Sequence, residues 1–196
     1  MSIDANAIKQ GQKAMWTAGD YGEVAERVAS VGSYVAERAG AGPEIELLDV
    51  ATGTGNVSIP AAQAGATVTA LDLTPKLLAE QRERAAAAGV EIDLVEGDAE
   101  ALPFAEDSFD RVTSCFGVMF APRQRVAASE LMRVVRPDGE IVVAAWTPQS
   151  LIGSMFAASA RYLPAPPADF VPPMMWGVEE HVRDLLETLG ARVSCE

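Results

Sequence analysis

The sequence predicts a doubly wound α/β fold: a mostly parallel sheet with helices on both faces, its closing C-terminal strand hairpin incomplete. Three observations carry this. Short apolar runs alternate with amphipathic stretches of about 10 to 15 residues across 44–147, a rhythm that implies crossover connections and a sheet covered on both sides. The first apolar run ends on an acid and breaks into a glycine loop, "LLDVATGTGN" (47–56). At 196 residues with 49% hydrophobic and 22% charged, the chain suits one folded domain.

Val24, Val28, Val31 and Val35 recur at helical spacing and predict one helix with a single apolar stripe, ending near "AGAGP". "EIELLDV" (44–50) is the first strand. "NVSIPAAQAG" (56–65) turns helical, with Pro60 in its first turns, where a missing N–H costs least. "ATVTALDL" (66–73), "VEIDLVEG" (90–97), "FDRVTSCFG" (109–117) and "GEIVVAAW" (139–146) are the next four strands. Between them "PKLLAEQRERAAAAG" (75–89) is a helix opened by Pro75, and "RQRVAASELMRVV" (123–135) a helix followed by an "RPDG" turn. Six of the twelve prolines then fall in residues 147–177, which excludes a sheet or helix interior for "PAPPADFVPPMMWG" and predicts a stiff cover, with a helix at 151–163 inside the segment. "VEEHVRDLLETLG" (178–190) is a last helix, and "ARVSCE" reads as a sixth strand.

Charge and composition exclude whole classes of function. With 28 acids against 15 bases the net charge is −13, which repels phosphate polymers and excludes nucleic acid as the expected partner. Only three of the bases, Lys9, Lys13 and Lys76, are lysines. Cys115 and Cys195 form no CxxC pair, so neither a disulfide framework nor a metal site is indicated, and a reducing cytoplasm is the expected location. No stretch has the roughly 20 apolar residues of a membrane span, and the first residues carry no apolar signal core.

In a parallel sheet of this order, ligands bind outside the carboxyl ends of the strands, where strand order reverses. Gly53 and Gly55 would let backbone N–H groups approach a ligand there; a tight turn without a ligand explains a lone glycine pair equally well. Asp72 ends the second strand 19 residues after Gly53, near the spacing at which an acid accepts ribose hydroxyls. Asp98, past the third strand, adds a carboxylate able to take an adenine amino group. The loop reads "GTGNVS" rather than GxGxxG, so a nicotinamide or flavin enzyme is the weaker alternative, and no P-loop is present.

The segments "LLDVATGTGN", "ALDLTP", "EGDAEALPFAEDSFDRVTSCFGVMF" and "ELMRVVRPDGEIVVAAW" resemble, in order, the motifs of class I S-adenosylmethionine-dependent methyltransferases, Rossmann-like enzymes. The branch they resemble includes the quinone-biosynthesis C-methyltransferases. The resemblance implies that Asp49, Ala51, Gly53 and Gly55 line the methionine part of S-adenosylmethionine, that Asp72 holds the ribose with Leu73 against the adenine, that Gly97, Asp98 and Ala99 read the adenine edge, and that Cys115 and Phe116 border the sulfonium. The family's first loop glycine is Ala51 here, a small change that binding should survive. The Asn-Pro-Pro-Tyr signature used for amino acceptors is replaced by "SCFGVMF", which points away from nucleic-acid or glutamine-amide methylation.

The implied organisation is one domain: an N-terminal helical lid (1–40), a cofactor-binding core (44–147), a proline-rich cover or acceptor region (148–177) and the last helix with the sixth strand (178–196). The implied activity is methyl transfer to a small-molecule oxygen, carbon or nitrogen, with S-adenosylhomocysteine as product. Alignment and desolvation can supply most of that acceleration, so no catalytic residue is assigned. Trp16 or Tyr21 would face the sulfonium, or simply pack an amphipathic helix. Met155, Phe156, Tyr162, Phe170, Met174, Met175 and Trp176 would wall an apolar acceptor pocket, cover the sheet or form a homodimer face. His181, the only histidine, reads as a surface residue of the last helix. The second reading, from a different class, is a non-catalytic S-adenosylmethionine-binding domain that associates through its incomplete sheet edge.

Overall fold

A computed structural model describes residues 4–162, 167 and 169–196. The first three residues of the predicted lid, the last residue of the helix predicted over 151–163, and Pro164 and Pro166 lie outside the described residues. Three helices come first, α1 (Ala5–Ala18), α2 (Tyr21–Arg27) and α3 (Ala29–Arg38). The alternating core follows as β1 (Glu46–Val50), α4 (Ser58–Gln63), β2 (Thr67–Asp72), α5 (Pro75–Ala87), β3 (Asp93–Glu96), β4 (Phe109–Cys115), α6 (Gln124–Val134) and β5 (Val135–Ala144). Two more helices, α7 (Leu151–Ala160) and α8 (Glu179–Glu187), and short 3₁₀ turns at Val118–Phe120 and Pro173–Gly177 complete the described elements.

The strands form one parallel sheet in the order β3-β2-β1-β4-β5. Chain order runs outward from β1 in one direction and from β4 in the other, so the loops leaving β1 and β4 diverge and open a crevice at their carboxyl ends. Period-two alternation divides β1 between two cores. Leu47 joins Val35, Ala36, Val57 and Ala61 beneath α3 and α4. Leu48 and Val50 face Leu131, Val134 and Leu185 of α6 and α8. Leu47, Leu48 and Val50 have no exposed surface, and each such side chain contributes about 1.5–3 kcal/mol by burial. The site at the strand ends therefore rests on the most deeply buried strand.

Three expectations change. The helix predicted over the valine stripe is two helices broken at Val28, whose φ of −114° and ψ of 10° leave the helical region, and Val24 is 53% exposed. The "RPDG" turn lies inside β5: Phe109 pairs with Val135 but Arg111 pairs with Glu140, so Arg136–Gly139 bulge out of register. Residues 191–196 form no strand; Val193 accepts a bond from Arg183 through its carbonyl (2.9 Å) and Glu196 is held by Arg38 (3.1 Å) and Tyr34 (2.7 Å). Side-chain anchoring replaces the ladder predicted there, and β5 is the edge strand on that side of the sheet among the described residues. In the proline-rich segment Met174 and Trp176 are buried in the core as a cover, whereas Met155 and Tyr162 are exposed.

Candidate functional site

The sheet delivers its chemistry at the carboxyl ends of β1, β2 and β4. Asp49, on the penultimate residue of β1, is 1% exposed. It accepts hydrogen bonds from Thr52 Oγ1 at 2.6 Å and Thr113 Oγ1 at 3.0 Å. Burial pushes its carboxyl up to about 6, against the opposing pull of those two hydroxyls. Ser58 continues the network, with its Oγ 3.1 Å from Thr52 Oγ1 and accepting from Gln81 Nε2 at 2.6 Å.

The loop after β1 is held as tightly. Ala51 and Gly53 have φ of 54° and 60°, in the left-handed region, where a Cβ costs about 1–2 kcal/mol. The Ala51 methyl and carbonyl pack where Gly117 lacks a side chain, since a Cβ there would lie 2.6 Å from either. Gly53 N donates to Asp72 Oδ2 at 2.9 Å, and Thr74 N donates to Asp72 Oδ1 at 2.8 Å. Asp72 thus ties the two strand-end loops together, and burial raises its pKa against those backbone bonds. From α5, Arg84 donates to the Thr54 carbonyl (2.9 Å) and hydroxyl (2.6 Å), while Asn56 Nδ2 donates to the Ala25 carbonyl of α2 at 2.7 Å.

One cavity collects Trp16, Asp49, Ala51, Gly53, Asp72, Leu73, Gly97, Asp98, Ala99, Cys115 and Phe116 in its wall. Gly55 is the exception among the residues predicted to contact the cofactor. It lies outside that wall at φ 92°, where a Cβ would fall 2.9 Å from Ile59 Cδ1, so its glycine serves helix packing. Gly97 has a packing reason as well, because a Cβ there would fall 2.5 Å from Leu71 Cδ1. None of the described residues of 148–177 lines this wall. His181 is half-buried and paired with Gln124 Oε1 at 2.8 Å, outside the cavity rather than on the surface.

Aromatic rings close the side facing the N-terminal helices. Trp16 packs edge-on against Tyr21 (5.3 Å between centroids) and Phe120 (5.4 Å), and all three line the cavity. Phe116, left-handed at φ 56°, stacks on Trp146 at 4.0 Å and 6°. Burial pushes the Cys115 thiol up to about 12, with the Asp49 charge adding, and raises the Tyr21 phenol too. Neither is a base at neutral pH. Sequence reasoning missed Lys9, Gln12 and Asn56, which also line the cavity. Only the scarcity of lysine hinted at Lys9.

Comparison with known proteins gives this geometry a family. A methyltransferase-domain family model matches residues 48–143, from β1 into β5. An uncharacterized Mycobacterium tuberculosis protein, Rv1405c, is 49% identical over 95% of this chain and 70% of its own length. The ubiquinone/menaquinone biosynthesis C-methyltransferase UbiE of Roseobacter denitrificans is 39% identical over 69% of this chain and 61% of that protein. The crystal structure of a SAM-dependent methyltransferase from Aquifex aeolicus has a TM-score of 0.64 over 99% of this chain and 92% of its own, at 18% identity, which speaks to the fold. No helix among the described residues is long and apolar enough to cross a membrane, and none of their His, Cys, Asp and Glu side chains cluster as a metal site. The chain belongs to the class I S-adenosylmethionine-dependent methyltransferases, in the branch that resembles the quinone C-methyltransferases.

Proposed function

We propose that this chain methylates a small aromatic acceptor of quinol type, using one cavity for the whole of S-adenosylmethionine. The observation that carries this reading is the gathering of these groups in the wall of one cavity. Asp49 and the Ala51–Gly53 loop suit the methionine end, Asp72 the ribose, and Leu73 with Gly97, Asp98 and Ala99 the adenine. Two buried carboxylates in the wall, Asp49 and Asp72, suit a cationic ligand. When bound, the cofactor supplies an electrophilic methyl group on a sulfonium.

The chain's own residues then position and dry the reaction. Trp16, Tyr21, Phe116 and Phe120 supply aromatic surface suited to a sulfonium and to a planar ring. With Cys115 and Tyr21 held protonated, neither takes the proton of a quinol acceptor. The quinone-methylating name of the Roseobacter relative supports the same acceptor class. Alignment of reactants can supply up to about 10⁵–10⁸ M in effective molarity and so most of the acceleration, while a base for the acceptor proton would add about 10²–10⁴ in rate.

The test is formation of S-adenosylhomocysteine with quinols, catechols, phenols and amines as acceptors. Turnover with quinols above the other classes is expected. Cofactor binding with no product from any acceptor would favour the non-catalytic binding domain instead.

A further inference from the structure

All three lysines of the chain meet one helix. Lys9 and Lys13 project from α1, and Lys76 reaches its C-terminal end from α5. Lys9 Nζ lies 2.6 Å from Asp98 Oδ2 and pairs also with Glu100. Lys13 Nζ lies 2.6 Å from Glu96 Oε1, and Lys76 donates to the carbonyls of Thr17 (3.2 Å) and Gly19 (2.8 Å). Gln12 adds a bond to the Phe120 carbonyl at 2.8 Å. The only buried residue of α1 is Lys9, so these polar contacts, with the Trp16 ring, hold the helix in place of a core.

Lys9, Gln12 and Trp16 form one helical face, at i, i+3 and i+7, and that face lines the cavity. At its nucleoside end sits the carboxylate pair of Asp98 and Glu100. The Glu100 side chain is fully buried and also accepts from Arg123 Nε at 2.7 Å; Asp98 Oδ1 accepts from Glu100 N at 2.9 Å. When Lys9 withdraws, Glu100 keeps its arginine and Asp98 its backbone donor. Neither is left as an uncompensated buried charge, the condition that makes most buried pairs costly to break. The contact is built to open and close.

We infer that Lys9, seated between Asp98 and Glu100, is the latch of a lid formed by α1, and that its release sets the rate of cofactor exchange. The inference rests on the cavity being the cofactor site. Asp98 faces both Lys9 and the proposed adenine position, so a bound nucleoside and the closed helix share one carboxylate. An element whose apolar side chains are at most half-buried, the Trp16 ring among them, opens more readily than the sheet beneath it.

Stopped-flow tryptophan fluorescence, with Trp16 on the moving helix, measures dissociation of S-adenosylhomocysteine. Lys9→Met should speed dissociation about tenfold or more, and Lys9→Arg, which keeps the charge, should stay within about threefold of the parent. Lys76→Met touches the other end of α1 without entering the socket and should give a smaller acceleration. Unchanged dissociation in Lys9→Met, or an acceleration by Lys76→Met as large as that by Lys9→Met, overturns the latch. Failure of the parent protein to bind S-adenosylhomocysteine overturns the cofactor reading instead.

Discussion

The floor and the roof of the cavity are built from opposite materials. The floor, from Asp49 through the Ala51–Thr54 loop to Asp72, is tied by short hydrogen bonds among buried groups and stands on β1, whose Leu47, Leu48 and Val50 are inaccessible. The roof, α1, has one buried residue and it is a lysine. Floor residues should therefore govern equilibrium affinity and folding, and roof residues should govern rates.

The largest effect is expected from Asp72→Ala, which removes the acceptor for Gly53 N and Thr74 N as well as the proposed ribose contact. Cofactor affinity should fall at least about a hundredfold, near 3 kcal/mol, and calorimetry measures it. Asp72→Asn keeps one acceptor oxygen and should lose less; equal losses would show that the loop tie is unimportant.

Asp49 comes next. Its folded-state pKa of about 6 lies above its unfolded value of about 3.9, so the native state binds the extra proton. Its unfavourable contribution is absent below about pH 4, grows between about pH 4 and 6, and is complete above that range, worth about 2–3 kcal/mol. Asp49→Asn should flatten the fall of stability over that window in urea titrations while weakening cofactor binding at pH 7. A parallel pH profile in parent and variant would refute the assignment.

Ala51→Gly relieves a left-handed alanine and should raise stability by about 0.5–1 kcal/mol, with little change in cofactor affinity. The smallest effect belongs to the roof. Lys13 and Glu96 are a largely exposed pair, 41% and 53% by side chain, so Lys13→Gln should cost under about 0.5 kcal/mol in thermal unfolding. A loss as large as that of Asp72→Ala would erase the distinction between the two walls.

The same division decides what the sequence could disclose. The floor follows from local rules: apolar runs, helix stops, and an acid 19 residues beyond Gly53 that bonds to that glycine's own N–H. The roof depends on pairing across 89 positions, Lys9 to Asp98, for which no local pattern exists. Valine spacing could not reveal the break at Val28, because two helices in tandem keep nearly the same periodicity as one. "ARVSCE" alternates like a strand, yet its anchors are side chains meeting Arg38, Tyr34 and Arg183. Gly55 is constrained by Ile59 outside the cavity, and Gly97, which does line the cavity, is constrained also by Leu71, distances that only the folded chain defines.

The two thiols give the molecule a built-in clock. Cys195 is exposed, whereas Cys115 lies in the cavity wall with its ionisation suppressed to about 12. A maleimide dye at neutral pH should mark Cys195 alone within minutes, since the thiolate is the reactive form. Slow alkylation of Cys115 then becomes a record of how often solvent and reagent enter beneath α1, readable by mass spectrometry without any substrate.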